Sequence, residues 1–96
     1  MIVGVLSRPR LLRHIVLKRD EARDRWVILA PERVLVPDET AAEIVGMADG
    51  VATVAAIVDR LAEKYQAPRE VIAADVLAML QDLADQGYLV EGEEAA

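Results

Sequence analysis

Ninety-six residues, 54% of them hydrophobic, suffice for one domain with a modest core and not for two, so a single domain over residues 1–96 is expected, with an ordered core at about 8–90. The absence of cysteine excludes disulfides, an iron–sulfur cluster, a thiolate zinc site and a thiol nucleophile. The formal charge of −6 is unevenly spread: residues 1–36 hold eight Lys/Arg against four Asp/Glu, net +4, and residues 37–96 hold three against 13, net −10.

The opening Met-Ile-Val-Gly-Val-Leu is too short for a signal peptide's apolar region, and no later apolar run reaches membrane-spanning length. A soluble, cytoplasmic protein with no membrane association is expected. Ser7 falls in a disordered lead-in, and Arg8 to Leu12 reads as irregular because Pro9 disfavours a helix there. His14–Lys18 is a β-branched apolar run followed by the charged turn Asp20–Asp24. Two further β-type runs, Trp26–Ala30 and Val34–Val36, are joined by Pro31-Glu32-Arg33, where Pro31 presets the first corner of a tight turn. The three runs predict an antiparallel meander with the Trp26 strand in the middle, apolar on both faces. Trp26, the lone Trp, is expected as a core anchor between sheet and helices, with direct ligand contact as the alternative.

Pro37 stops the third strand. Asp38 or Thr40 then caps a first helix to about Asp49, Glu43 completing a capping box with Thr40 and Gly50 ending the helix. Thr53 caps a second helix with an apolar stripe of Val54, Ile57, Val58, Leu61 and Tyr65. A third helix begins at Pro68 or Arg69 and ends at Gly87. Its apolar residues Ile72, Ala73, Val76, Leu77, Met79, Leu80, Leu83 and Ala84 fill an arc of roughly 160° at about 100° per residue, wider than one helix contact needs. Tyr88-Leu89-Val90 returns as an extended segment and Glu91–Ala96 as a frayed tail. The fold class is therefore α+β, winged-helix-like: a three-stranded antiparallel sheet followed by a three-helix bundle.

Catalysis needs a nucleophile, a base, a metal or a cofactor cradle. His14 has no carboxylate at metal-ligand spacing, the carboxylates fall at surface helical spacing, and no Gly-rich phosphate loop is present. A non-enzyme without catalytic residues, metal or cofactor is expected. Nucleic acid is disfavoured too, since the third helix sets Arg69 against Glu70, Asp75, Asp82 and Asp85.

A short apolar strand at a sheet edge is a docking rail for an extended peptide. The expected peptide site is Arg33, Val34, Leu35 and Val36 on that edge with Ile72, Asp75, Val76 and Met79 on the third helix. Ile72 and Met79 serve equally as core residues or as the wall of a groove, where a flexible Met suits a peptide side chain. A three-residue edge limits self-pairing, so a monomer is expected. The basic portion either steers an acidic partner or is an ordinary solvated surface.

The string Trp-Val-Ile-Leu-Ala-Pro-Glu-Arg-Val at 26–34 is similar to the PqqD family, the small peptide chaperones of pyrroloquinoline quinone (PQQ) biosynthesis. Further likeness lies in Glu39-Thr40-Ala41, Asp49-Gly50, Ile57-Val58, Tyr65, Ala67-Pro68, Asp75-Val76-Leu77 and Leu80-Gln81-Asp82-Leu83, and runs from about Arg8 to Val90. The resemblance implies the architecture of leader-peptide recognition elements. It also implies a partner, the ribosomally made PQQ precursor peptide (PqqA), presented to a radical S-adenosylmethionine enzyme (PqqE) that crosslinks a Glu and a Tyr. The rival readings are a winged-helix nucleic-acid-binding module and a structural interaction module.

Overall fold

The computed structural model describes residues 1–92. In chain order it contains β1 (Pro9–Leu11), β2 (Val16–Asp20), β3 (Arg25–Ala30), β4 (Arg33–Leu35), α1 (Glu39–Met47), α2 (Val54–Tyr65), α3 (Arg69–Asp85) and β5 (Leu89–Glu91). The strands β2-β3-β4 form an antiparallel meander, and β1 pairs with β5 in a separate two-stranded sheet. The expected α+β class and the central Trp26 strand are both found; β2 lies two residues later than expected.

Period-two alternation divides the meander. Leu17, Ile28 and Leu35 lie side by side across the three strands and face the helices, with Ile28 only 2% exposed. Val16, Leu29 and Val34 line up on the other face, where Val16 and Val34 stay exposed. The helices thus cover one face, not both. Trp26 stands on the covered face but at its margin: it is half-buried and lies outside the core. The core is aliphatic, centred on Val54, Ile57, Val58 and Leu80, with Val76, Leu61, Ile28 and Leu89 against them.

The helix boundaries follow from local chemistry. Asp38 alone caps α1, its carboxylate accepting from the Ala41 N–H at 2.7 Å, so Thr40 and Glu43 form no capping box. The helix closes at Ala48, two residues before Gly50. Gly50 has φ +82° and donates its N–H to the Pro9 carbonyl, tying this turn to β1. Thr53 caps α2 through the Ala56 N–H, and Val54, Ile57, Val58 and Leu61 are buried as expected, whereas Tyr65 is 48% exposed. At the end of α3, Gly87 (φ +84°) donates to Ala84 and Tyr88 to Leu83, the paired bonds of a Schellman motif.

The first eight residues are built into the fold. The Val5 and Ser7 carbonyls accept the Ala55 and Val54 N–H groups at the start of α2, the Val3 N–H donates to Gln81, and Val3 is 9% exposed. Pro9 opens β1, an edge strand where its missing N–H costs nothing. Of the expected tail, Glu91 belongs to β5 and its carboxylate accepts the Arg8 N–H, while Gly92 is buried and donates to the Arg8 carbonyl. A Cβ on Gly92 would lie 2.8 Å from that carbonyl oxygen and closer still to the Gly50 backbone. Residues 93–96 of the tail lie outside the described residues.

Candidate functional site

The turn Pro31-Glu32 makes Ala30 and Arg33 the closing pair of the β3–β4 hairpin. In a two-residue hairpin that pair shares the hydrogen bonds, and bonded and non-bonded pairs alternate beyond it. Leu35 therefore turns its N–H toward Ile28, and Val34 turns its N–H outward along the free edge. Pro37 follows directly and prevents the strand from continuing.

Beside this edge lies a cavity of about 230 Å³. Leu35, Val36 and Pro37 form one wall, Met79, Asp82 and Leu83 of α3 with its C-cap Gln86 the other, and Ile28, Ala41 and Val45 the floor. Its volume is below the about 300–1,000 Å³ of drug-sized ligand sites, which suits one or two peptide side chains better than a cofactor. The wide apolar arc of α3 thus serves two surfaces. Leu80 and Val76 face the core, while Met79 and Leu83 reach the groove.

Of the residues singled out in the sequence, Leu35, Val36 and Met79 come together here. Arg33 stands at the mouth, donating from Nη1 to Gln86 Oε1 at 3.4 Å. Val34 contributes its outward backbone, and its side chain lies on the opposite sheet face. Ile72, Asp75 and Val76 instead line a separate cavity of about 40 Å³ with Thr40, Ile44, Leu61 and Tyr65, nearer the start of α3. Val76 is 1% exposed and is a core residue. Sequence reasoning missed Ile28, Ala41, Val45, Asp82, Leu83 and Gln86. Asp82, Leu83 and Gln86 were legible in principle, lying three, four and seven residues beyond Met79 on one helix face.

The other edge of the meander is β2, the strand expected at His14–Lys18. That strand carries Lys18, Arg19 and Asp20, charges that guard an edge against added strands, and no such charge follows Arg33 on β4.

On the far side of α1, Trp26 and Tyr65 border a second cleft, of about 390 Å³, with Leu17, Glu39 and Glu43. Arg19 lies over the Trp26 ring at 5.5 Å from its centroid. Glu43 accepts from both Lys64 and the Tyr65 hydroxyl. These bonds, the Lys64 one foremost, hold the Glu43 carboxyl below its ordinary 4.5, and bonding to Glu43 raises Lys64 above 10.5 and Tyr65 above 10.0. Stability from a lowered carboxylate is full above its unfolded value and fades as pH falls through the folded one; stability from raised groups is full below their unfolded values and fades as pH rises. The contribution of the triad should be level between about 4.5 and 10.0 and decline on both sides. Thermal melts across pH should show Glu43→Gln flattening the acid limb relative to the parent protein; an unchanged acid limb would assign it to other carboxylates.

The described residues form a small α+β domain with a free strand edge beside an apolar groove. Residues 25–89 match the family model described as Coenzyme PQQ synthesis protein D (PqqD). The PqqA binding protein of Rhodopseudomonas palustris (strain ATCC BAA-98 / CGA009) is 62% identical over 94 residues, covering 98% of this chain and 92% of that protein. The solution structure of the PqqD truncation of Methylobacterium extorquens PqqCD, a stand-alone recognition element for ribosomally synthesized and post-translationally modified peptides, is 40% identical. It superposes with a TM-score of 0.75 over 86% of this chain and 88% of that one. TbiB1 in complex with the TbiA(beta) leader peptide shares the fold at 21% identity, with a TM-score of 0.72 over 88% and 98% of the two chains. The chain belongs to the PqqD family.

Among the described residues no helix is long and apolar enough to cross a membrane, and no three His, Asp or Glu side chains gather as a metal site would require.

Proposed function

We propose that this protein is a peptide chaperone that binds the ribosomally made PQQ precursor peptide and presents it to the radical S-adenosylmethionine enzyme PqqE, which crosslinks a Glu and a Tyr of the peptide. The observation that carries this reading is the free β4 edge lying against the groove, with an apolar floor at Ile28 and Val45. The relatives named as PqqA binding proteins support the identity of the peptide. The peptide adds as a strand along β4. Main-chain bonds set its register and alternate side chains enter the groove between Leu35 and Met79.

The protein acts in the cytoplasm as a monomer and catalyses nothing itself. Its role is to bring two partners together without contributing a reacting group. Calorimetric titration of the protein with the precursor peptide should give one-to-one binding in the absence of the enzyme. The peptide should crosslink only when the enzyme is added. Heat of binding that appears only with the enzyme present would make this chain an enzyme subunit and not a peptide carrier.

The nucleic-acid reading loses further ground in the structure, since the single cation of α3, Arg69, is engaged with Asp59 at 2.6 Å. That leaves the acidic side chains of the helix to face any phosphate.

A further inference from the structure

The groove is apolar at one end and polar at the other. Val36, Pro37 and Met79 mark the apolar end. At the polar end Gln86 spans the mouth, its Oε1 accepting from Arg33 at 3.4 Å and its Nε2 donating to Asp82 Oδ2 at 3.0 Å. The two links are unequal. The bond to Asp82 is the shorter, joins the C-cap to the last turn of α3 at i,i+4 spacing, and is made to a carboxylate. The bond to Arg33 crosses from helix to strand, is long, and leaves the guanidinium with a neutral partner.

Arg33 shares with Lys18 of β2 the lack of an ion pair among the described residues, and unlike Lys18 it stands beside the groove. Arg19, Arg23 and Arg25 are each paired with Asp20 or Asp24 in the β2–β3 turn, whereas no ion pair among the described residues uses Arg33. The one carboxylate of the groove, Asp82, accepts from Gln86 at Oδ2 and is in no ion pair with Arg33. An uncompensated cation therefore sits at the mouth beside the strand that a peptide would extend. Its only tether is the weaker of two bonds to a side chain that keeps its other partner when that tether breaks.

We propose that Arg33 is a specificity-determining residue that reads a carboxylate on the bound peptide, two residues from the peptide's apolar anchor. The inference rests on the peptide-binding reading above and adds a sequence preference to it. Alternate residues of an added strand face the same side and stand about 6.6 Å apart, two rises of about 3.3 Å. With one inward side chain between Leu35 and Met79, the next inward position toward the hairpin faces Arg33. An Asp or Glu there takes the guanidinium from Gln86 and replaces a neutral hydrogen bond with a charge-assisted, two-pronged one. A Lys at that position meets the like charge of Arg33 and forms no such two-pronged bond.

The test uses the precursor peptide with each position in turn replaced by Ser, Glu, Gln or Lys, titrated against the protein and against Arg33→Gln and Arg33→Glu. Arg33 is exposed, so both variants should fold, which circular dichroism verifies. One apolar position should lose binding when replaced by Ser. Two residues away, Glu should bind about three- to fivefold tighter than Gln, the range of an exposed ion pair, and Lys weaker than both. Arg33→Gln should level the three, and Arg33→Glu should invert them. Binding with a clear apolar anchor but no position at that spacing where Arg33→Glu inverts the order overturns the role of Arg33 and leaves the peptide-binding reading standing. Binding by no peptide of the series overturns both.

Discussion

Val34→Pro is expected to lower affinity for the precursor peptide on the order of tenfold to a hundredfold while leaving the helical signal and melting temperature close to those of the parent. The hairpin register turns the Val34 N–H outward, and its side chain is 59% exposed on the uncovered sheet face. Proline at that position removes one edge donor and sets a ring against the incoming strand, but it breaks no bond to β3. An unmet buried hydrogen-bonding group costs about 1–3 kcal/mol, and a peptide carbonyl left without its donor at this edge meets that cost. Leu35→Pro should behave differently. Its N–H faces Ile28 and its side chain lines the groove, so stability and binding should fall together. Binding assays and melts on the two variants separate the cases. Full affinity in Val34→Pro would mean that the peptide does not add to β4.

Leu80→Ala is expected to be the most damaging of the single truncations considered, at about 2–5 kcal/mol. Leu80 has no exposed surface and belongs to the cluster that joins α3 to the sheet and to the other helices. Deleting its branched end leaves a void walled by side chains that are themselves buried and have little room to collapse. For a chain whose whole stability is about 5–15 kcal/mol, that is a large share, corresponding to roughly 10–40 °C in melting temperature. Trp26→Ala should cost less, about 1–2 kcal/mol, despite the larger side chain. Trp26 is half-buried at the margin of the sheet and stacks with Arg19 in place of filling the core. Denaturant unfolding of both variants decides the order, and a greater loss from Trp26→Ala would return Trp26 to the role of core anchor.

The contrast between Trp26 and Leu80 shows where sequence carries structural information in this chain. Patterns that depend on neighbours in sequence were legible: the three strand runs of the meander, a cap at Asp38 or Thr40 and one at Thr53, the α2 stripe as far as Leu61, and the closing Gly87. Features fixed by distant pairing were not. Pro9–Leu11 is a strand because Leu89–Glu91 returns beside it, and residues 3–8 are held by Gln81 and the start of α2. Nothing within those segments announces partners about 50 to 80 positions away. The same limit applies to the site. The β4 edge could be read from Pro31, the apolar run and Pro37, but which part of α3 stands beside it depends on how the helix lies across the sheet. The arc from Ile72 to Ala84 was broad enough to supply either end. The structure places Met79, Leu83 and Gln86 at the groove and turns Ile72 and Asp75 toward α1 and α2. Glu43 followed the same logic, since its spacing from Thr40 fitted a local capping box and the fold gave it to Lys64 and Tyr65.

Amide chemical-shift mapping during titration with the unlabelled precursor peptide decides which edge of the sheet the peptide occupies. Val34, Leu35 and Val36 should shift together with Met79, Leu83 and Gln86. The β2 amides from Val16 to Asp20 and the cleft residues Trp26 and Tyr65 should stay near their free positions. Shifts concentrated on β2, with β4 and the last turns of α3 unmoved, would place the peptide on the other edge of the sheet and contradict the account.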